Sequence, residues 1–195
     1  MNFISRVASY SPVPAGGAAV ANCFCLAIAL IYKVVLFETE RNYRNPELSQ
    51  NLLEVKKEIE PLLRDAERLV DEDSETYIKF AESRRTGNKA QMKQHFNEII
   101  EVSMKIMEKS DAGFRWIEQL HEIIPQQMAT HLLIAGELLM GAINGTVHIV
   151  KANLRVLKSP EKRLNYSNRL YHLHLEYKNR HQKIMEDLGQ FLEAE

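Results

Sequence analysis

The 195-residue sequence is poor in cysteine, glycine and proline, holds one tryptophan, and has no surplus of either charge. Each shortage excludes something. The two cysteines, Cys23 and Cys25, stand two positions apart in one apolar run. On a helix they point in different directions, which suits neither a mutual disulfide nor a shared metal. They read as small buried hydrophobes in a reducing compartment, and the protein as cytoplasmic. Eight glycines and six prolines are too few for a fold of many tight turns. Lys and Arg number 25 against 26 Asp and Glu, a net charge of −1. That balance gives no basic face of the kind that holds nucleic acid. Also missing are a glycine-rich phosphate loop, a metal-type Cys/His cluster and a Gly-x-Ser-x-Gly elbow. The expectation is a protein without a metal or a prosthetic group.

What is present is apolar material in helical register. Hydrophobic residues make up 45% of the chain and charged residues 26%, enough for a sizeable core. Ser11-Pro12-Val13-Pro14 forces an extended segment, because proline fixes φ and restricts the residue before it. Ala15-Gly16-Gly17 then opens an apolar helix running to about Phe37. Ala15 to Tyr32 carries no charge, a length at which a membrane span comes into question. Its Ala and Gly content, the interruption at Lys33 and the lone basic Arg6 upstream favour a buried helix over a span or a signal peptide.

Asn45-Pro46 starts the second long helix, with the stripe Leu48, Leu52, Val55, Ile59, Leu62, Ala66, Leu69, Asp73, Tyr77, Phe80. Its four-three spacing is the seam of an antiparallel helix pair, and Pro61 should kink it. Thr86-Gly87-Asn88 makes the turn. A third helix carries Met92, Phe96, Ile99, Ser103, Ile106, Ser110, Gly113, Ile117, Leu120 and Ile124, up to a break at Pro125. The fourth runs from about Gln126 to Leu157 and has a narrow polar face: Glu137, Asn144, His148, Lys151, Arg155. It is central in the bundle or buried in a dimer. Ser159-Pro160-Glu161 caps the last helix, whose stripe runs from Tyr166 to Phe191. The reading is all-α: residues 1–195 as one domain, a bundle of about five to six long antiparallel helices.

Four features could carry chemistry. The turn Pro14-Ala15-Gly16-Gly17 presents backbone N–H groups unhindered by side chains, a natural anion or carbonyl site or simply a tight packing turn. Lys33, alone in an apolar helix, could be a desolvated base or could snorkel to the helix end. Asp73 falls on a seam where an apolar residue is expected, so it needs a partner or a task. His131 and Asn153 sit near the two ends of the fourth helix, as ligand-facing groups or as satisfied buried ones.

In this order, those features resemble the cyclodeaminase/cyclohydrolase family: formiminotetrahydrofolate cyclodeaminase, the C-terminal domain of formiminotransferase-cyclodeaminase, and the related methenyltetrahydrofolate cyclohydrolase. Pro12-Val13-Pro14-Ala15-Gly16-Gly17-Ala18 is similar to the family's Pro-x-Pro-Gly-Gly-Gly-Ser turn. Asp73-Ser74-Glu75-Thr76-Tyr77 is similar to its "acidic, x, x, small, aromatic" pattern. Gly145 to Leu154, with Asn153, resembles its Ala-x-x-Asn-Val-x-x-Asn-Leu stretch. Ala15 and Ala18 stand where the family has Gly and Ser, Thr130-His131 where it has Ser-Asp, and Ile149 where it has Asn.

The resemblance implies a folate-dependent one-carbon enzyme, a lyase or hydrolase whose substrate is a tetrahydrofolate derivative. It would act by general acid–base catalysis without metal and form a homodimer, with neither nucleic acid nor membrane as partner. Gly16 and Gly17, beside Pro14, would contact the substrate through the backbone. Asp73, His131 or Lys33 would move protons, and Asn153 would position the substrate. The altered positions favour a second class: an inactive descendant that keeps the helical dimer and binds another ligand or a protein.

Overall fold

The computed structural model describes residues 2–42 and 44–193, and among these every regular element is a helix. A short α1 (Phe3–Val7) precedes five long helices: α2 (Gly16–Arg41), α3 (Pro46–Arg85), α4 (Lys89–His121), α5 (Gln126–Val156) and α6 (Pro160–Glu193). The boundaries follow local chemistry. The side chain of Asn45 accepts from the Leu48 N–H and caps α3, with Pro46 at the first helical position. Asn88 caps α4 in the same way, accepting from Gln91 N–H. Between them Gly87 has φ +71°, a left-handed conformation that glycine adopts without steric penalty. Pro125 separates α4 from α5, as its missing N–H and fixed φ require. Pro61 lies within α3 without ending it.

Cross-helix contacts fix the register. Tyr32 donates to Glu60 at 2.7 Å, setting α2 antiparallel to α3. Cys23 Sγ donates to the Leu138 carbonyl at 3.3 Å, setting α2 antiparallel to α5. Lys109 binds Asp65 at 2.7 Å between α3 and α4. Arg180 joins α6 to α4 through Asp111 and Glu118 at 2.7 and 2.6 Å. Thus α2, α3, α4 and α5 form a four-helix core, and α6 lies against α4 and α5. Phe24, Ile28, Ile31, Met104, Met107, Phe114, Leu139 and Ile143 are fully buried at its centre.

One expectation changes. The apolar helix α2 is not buried all round: Ala18, Ala21, Phe24, Ile28 and Ile31 face the core, whereas Leu26, Leu36 and Phe37 are exposed. The two cysteines are half-buried rather than buried. Both α2 and α5 are long and apolar enough to cross a membrane by length and composition, and both leave part of that surface outside the core.

Candidate functional site

The helices are unequal, and their register leaves a notch. A Cβ placed on Gly17 would touch Asp73, so α2 begins level with Asp73 of α3. From Asp73, α3 continues to Arg85, about 18 Å further at 1.5 Å per residue. Gly145 of α5 lies against Val20, and from there α5 runs to Val156, overshooting the start of α2 by about 10 Å. Above the N-terminus of α2 the four-helix bundle therefore has three walls and a missing fourth. The Ser11–Ala15 segment leads into that end, with Pro14 buried.

The floor of the notch is the first turn of α2. Ala15 stands at the N-cap position with no side chain able to cap. The first N–H groups of a helix have no acceptor within it. Here Ala19 N–H makes the first helical bond, to the Ala15 carbonyl at 3.0 Å. Ala18 N–H goes instead to the carboxylate of Asp73, a cap supplied by a neighbouring helix. The N–H groups of Gly16 and Gly17 point out along the helix axis into the notch.

Gly17 is sterically required in this arrangement. A Cβ there would lie 1.9 Å from Asp73 Oδ1, whereas one on Gly16 would meet nothing within 4 Å. Burial pushes the Asp73 carboxyl above its ordinary value, and the Ala18 hydrogen bond pulls the other way without cancelling it. Asp73 makes no salt bridge among the described residues. The structure thus places a carboxyl of elevated proton affinity beside two backbone donors, able to exchange a proton with a ligand on the helix end.

Tyr77, one turn beyond Asp73 on the same face of α3, is exposed at the notch wall. Asn153 lies at this same end on α5. Its Nδ2 donates to the Ile149 carbonyl of its own helix at 3.0 Å. Of the residues singled out from the sequence, Pro14, Gly16, Gly17, Asp73 and Asn153 therefore share one end of the bundle.

Lys33 and His131 do not join them. Lys33 is about 24 Å along α2 from Gly17, and His131 about 21 Å along α5 from Gly145, toward the opposite end. Lys33 is exposed, its Nζ 5.9 Å from the Phe37 ring centroid. It snorkels to water rather than sitting desolvated, since the outer side of α2 has no helix packed on it. His131 is half-buried, with Nδ1 shielded from water and without a partner.

Two features escaped the sequence reading. Glu38 is almost wholly buried, bound by Asn42 Nδ2 at 3.0 Å and facing Arg41 at 3.8 Å, at the end away from the notch. The Ala18 N–H was also missed, although counting free donors from the glycine turn would have found it. Other surface hollows, of about 340 and 400 Å³, are polar, open and lined by residues such as Lys183 and Arg68 outside the notch. Among the described residues no group of three metal-ligating side chains converges.

Comparisons with known proteins bear on this geometry. The model of the formiminotransferase-cyclodeaminase family matches residues 1–172. The fold is similar to the crystal structure of formiminotetrahydrofolate cyclodeaminase from Thermotoga maritima, with a TM-score of 0.88. That match covers 97% of this chain and 95% of the other, at 19% sequence identity. No curated protein matches the sequence.

Proposed function

The chain belongs to the formiminotransferase-cyclodeaminase family, and from that premise we propose that it is a folate-dependent one-carbon enzyme, a formiminotetrahydrofolate cyclodeaminase or a methenyltetrahydrofolate cyclohydrolase. The observation that carries the reading is the Asp73 carboxyl held against the first turn of α2, beside Gly16 and Gly17. Both reactions occur at a carbon held between two nitrogens, and both need a proton moved at that carbon's substituents.

In the cyclodeaminase reaction, the lone pair of a substrate amine attacks the formimino carbon and forms a C–N bond. A base accepts the amine's proton; the formimino nitrogen, initially =NH, gains one proton as the attack opens its double bond and a second from an acid as the remaining C–N bond breaks, so that it leaves as ammonia with the bonding pair. In the cyclohydrolase reaction water attacks the methenyl carbon and loses a proton to a base; one ring C–N bond then opens as its nitrogen is protonated and the hydroxyl gives up its remaining proton, leaving a formyl C=O. Asp73 is suited to both directions of transfer because burial brings its protonated and ionised forms closer in free energy. The free N–H groups of Gly16 and Gly17 supply donors for an oxygen or other electron-rich atom of the substrate. Asn153 would position the ligand from α5.

We propose further that the protein is a cytoplasmic homodimer acting as one domain on a tetrahydrofolate derivative, without metal. The unpaired thiols of Cys23 and Cys25 support a reducing compartment. Leu26, Leu36 and Phe37, uncovered on the outer side of α2, support a second subunit.

The first test is ligand binding. Titration with 5-formyltetrahydrofolate should raise the melting temperature progressively with ligand concentration, because a ligand that binds only the folded state stabilises it by mass action. Ammonia-release and methenyl-hydrolysis assays then separate the two reactions. No shift at millimolar ligand would overturn the folate reading in favour of an inactive descendant, the class favoured by Ala15, His131 and Ile149.

A further inference from the structure

The net charge of −1 is unevenly spread along the chain. Between Leu138 and Leu175 the one acidic residue is Glu161, against Lys151, Arg155, Lys158, Lys162, Arg163 and Arg169. This stretch forms the later part of α5 and the first half of α6, which pack on each other. Other seams of the bundle pair cations with carboxylates. Lys105 and Lys109 of α4 meet Glu72 and Asp65 of α3, and Arg169 and Arg180 of α6 meet Glu108 and Glu118 of α4. The α5–α6 seam follows that pattern at one place, where Glu137 faces His181 at 3.5 Å. Toward the notch end it departs from it. There Lys151 and His148 of α5 and Lys178 of α6 all bear on the ring of His174, and no carboxylate does. Among the described residues Lys151, Lys178 and His148 take part in no ion pair. Like charges gathered on a seam repel, and a bound anion would relieve them.

The seam opens at this place into a hollow of about 90 Å³. Val147, Leu154 and Leu170 are buried and give it an apolar floor. Lys151, Ser167 and Tyr171, all exposed, and half-buried His174 line the rest. At ~30 Å³ per water in the liquid, the space equals about three waters, enough for a small ion and not for a ring system. His174 Nε2 donates to Asn144 Oδ1 at 3.0 Å, which sets the tautomer and leaves Nδ1 as the nitrogen available to a ligand. Burial, and then the charges of Lys151, Lys178 and His148, push the His174 pKa down. An anion beside the ring would act in the opposite sense.

We propose that this hollow is a binding site for a small tetrahedral oxyanion, phosphate or the phosphoryl group of a monoester, held by Lys151, Ser167 and His174 with Lys178 completing the charge. The donors argue for that class. An ammonium holds phosphate as a point charge, a hydroxyl adds a neutral donor, and no guanidinium fork, the partner that matches a planar carboxylate, lines the hollow. The apolar floor keeps water from one side, which strengthens the attraction. Tyr171 is 64% exposed at the lip, where the organic part of a monoester would leave. The site lies on the side of α5 that meets α6, whereas Gly145 faces α2 and the notch. It is independent of the folate reading.

The experiment titrates the full chain with inorganic phosphate by calorimetry, at constant ionic strength in chloride. The expected result is one phosphate per chain with a Kd below about 1 mM. Lys151→Gln/Lys178→Gln, at two exposed positions, should weaken binding at least tenfold. Without phosphate that variant should melt higher than wild type, because the repulsion is gone. Sulfate does not titrate near neutral pH, and it should bind more tightly at about pH 5.5 than at about pH 8. His174→Asn should remove most of that difference, since Asn144, His148 and Lys151 of α5 and Tyr171 and Lys178 of α6 bring no carboxylate to the ring. Phenyl phosphate distinguishes the two sources. Binding tighter than that of inorganic phosphate, and lost in Tyr171→Ala, identifies an organic monoester; equal binding identifies the free ion. Glutarate binding as tightly as phosphate would overturn the oxyanion class. Phosphate binding kept in the lysine variant but lost in Gly17→Ala would move the anion to the start of α2 and overturn the site. No heat of binding at about 10 mM phosphate would overturn it outright.

Discussion

Asp73 Oδ1 occupies the space in which a side chain on Gly17 would have to stand, since a Cβ built there falls 1.9 Å from it. The glycine turn and the seam carboxylate, 56 positions apart by their numbers (73 − 17), are two halves of one arrangement. In it Asp73 approaches closely enough to take the Ala18 N–H. The first predictions test that pairing.

Gly17→Ala should leave the bundle folded, because the clashing atoms are the end of a side chain that can rotate away. Turnover should fall at least tenfold as Asp73 leaves the helix end. Gly16→Ala, with open space at its Cβ, should keep turnover within about threefold. Steady-state kinetics and circular dichroism on both variants check this, and equal loss in the two would separate Gly17 from Asp73.

Asp73→Asn should abolish turnover and leave stability within about 1 kcal/mol of wild type at neutral pH. The pH dependence has a definite sign. Burial raises the folded-state pKa of Asp73 above the unfolded value of about 3.9. The folded state therefore holds this proton more tightly. The resulting stabilisation is complete below about pH 3.9 and is lost as pH rises through the folded pKa. The asparagine variant never ionises, so its melting temperature relative to wild type should climb between about pH 4 and about pH 7. A difference that stays flat over that range would contradict a raised pKa.

Lys33→Met and His131→Leu should each keep turnover within about twofold. Both residues lie more than about 20 Å along their helices from the notch. Lys33 is exposed, so its substitution should move stability by no more than about 0.5 kcal/mol. A hundredfold loss of kcat in either variant would return that residue to the mechanism.

Gly145→Ala should destabilise by about 1–3 kcal/mol, because a Cβ there would fall 2.4 Å from Val20 Cγ2 at the α2–α5 contact. Gly145→Ala combined with Val20→Ala should recover part of that loss. Urea denaturation of the single and double variants measures it.

Arg180→Ala should destabilise by about 2 kcal/mol, since the guanidinium joins α6 to Glu118 and Asp111 of α4 and lies 6.0 Å from the Phe114 ring centroid. Arg180→Lys should recover less than half, because an ammonium cannot hold Glu118 through two nitrogens. Thermal denaturation of both variants decides it.

Much of this protein was legible in one dimension. The number of long helices, their starts at Asn45-Pro46 and Ser159-Pro160, and the breaks at Gly87 and Pro125 are local effects of caps, φ constraints and apolar periodicity. The oddness of Asp73 was visible as a carboxylate on an apolar seam, and the glycine turn as donors without side chains. Lys33 and His131 misled because a polar residue in an apolar run looks the same whether it faces the core or the outside. Periodicity gives a helix its stripe but not its neighbours, and the side of α2 that carries Lys33 has none.

The sequence by itself determined the helices, because hydrogen bonds four residues apart and side-chain spacing are set locally. Only the tertiary structure decided which ends meet. The antiparallel register of α2 with α3 and α5 brings Gly17, Asp73 and Asn153 to one end and sends Lys33 and His131 to the other. It also leaves α3 and α5 longer than α2 at that end, and so creates a notch that no single segment contains. The physical reason is that register is a sum over many weak side-chain contacts between distant segments, whereas a cap or a proline acts on its own few residues.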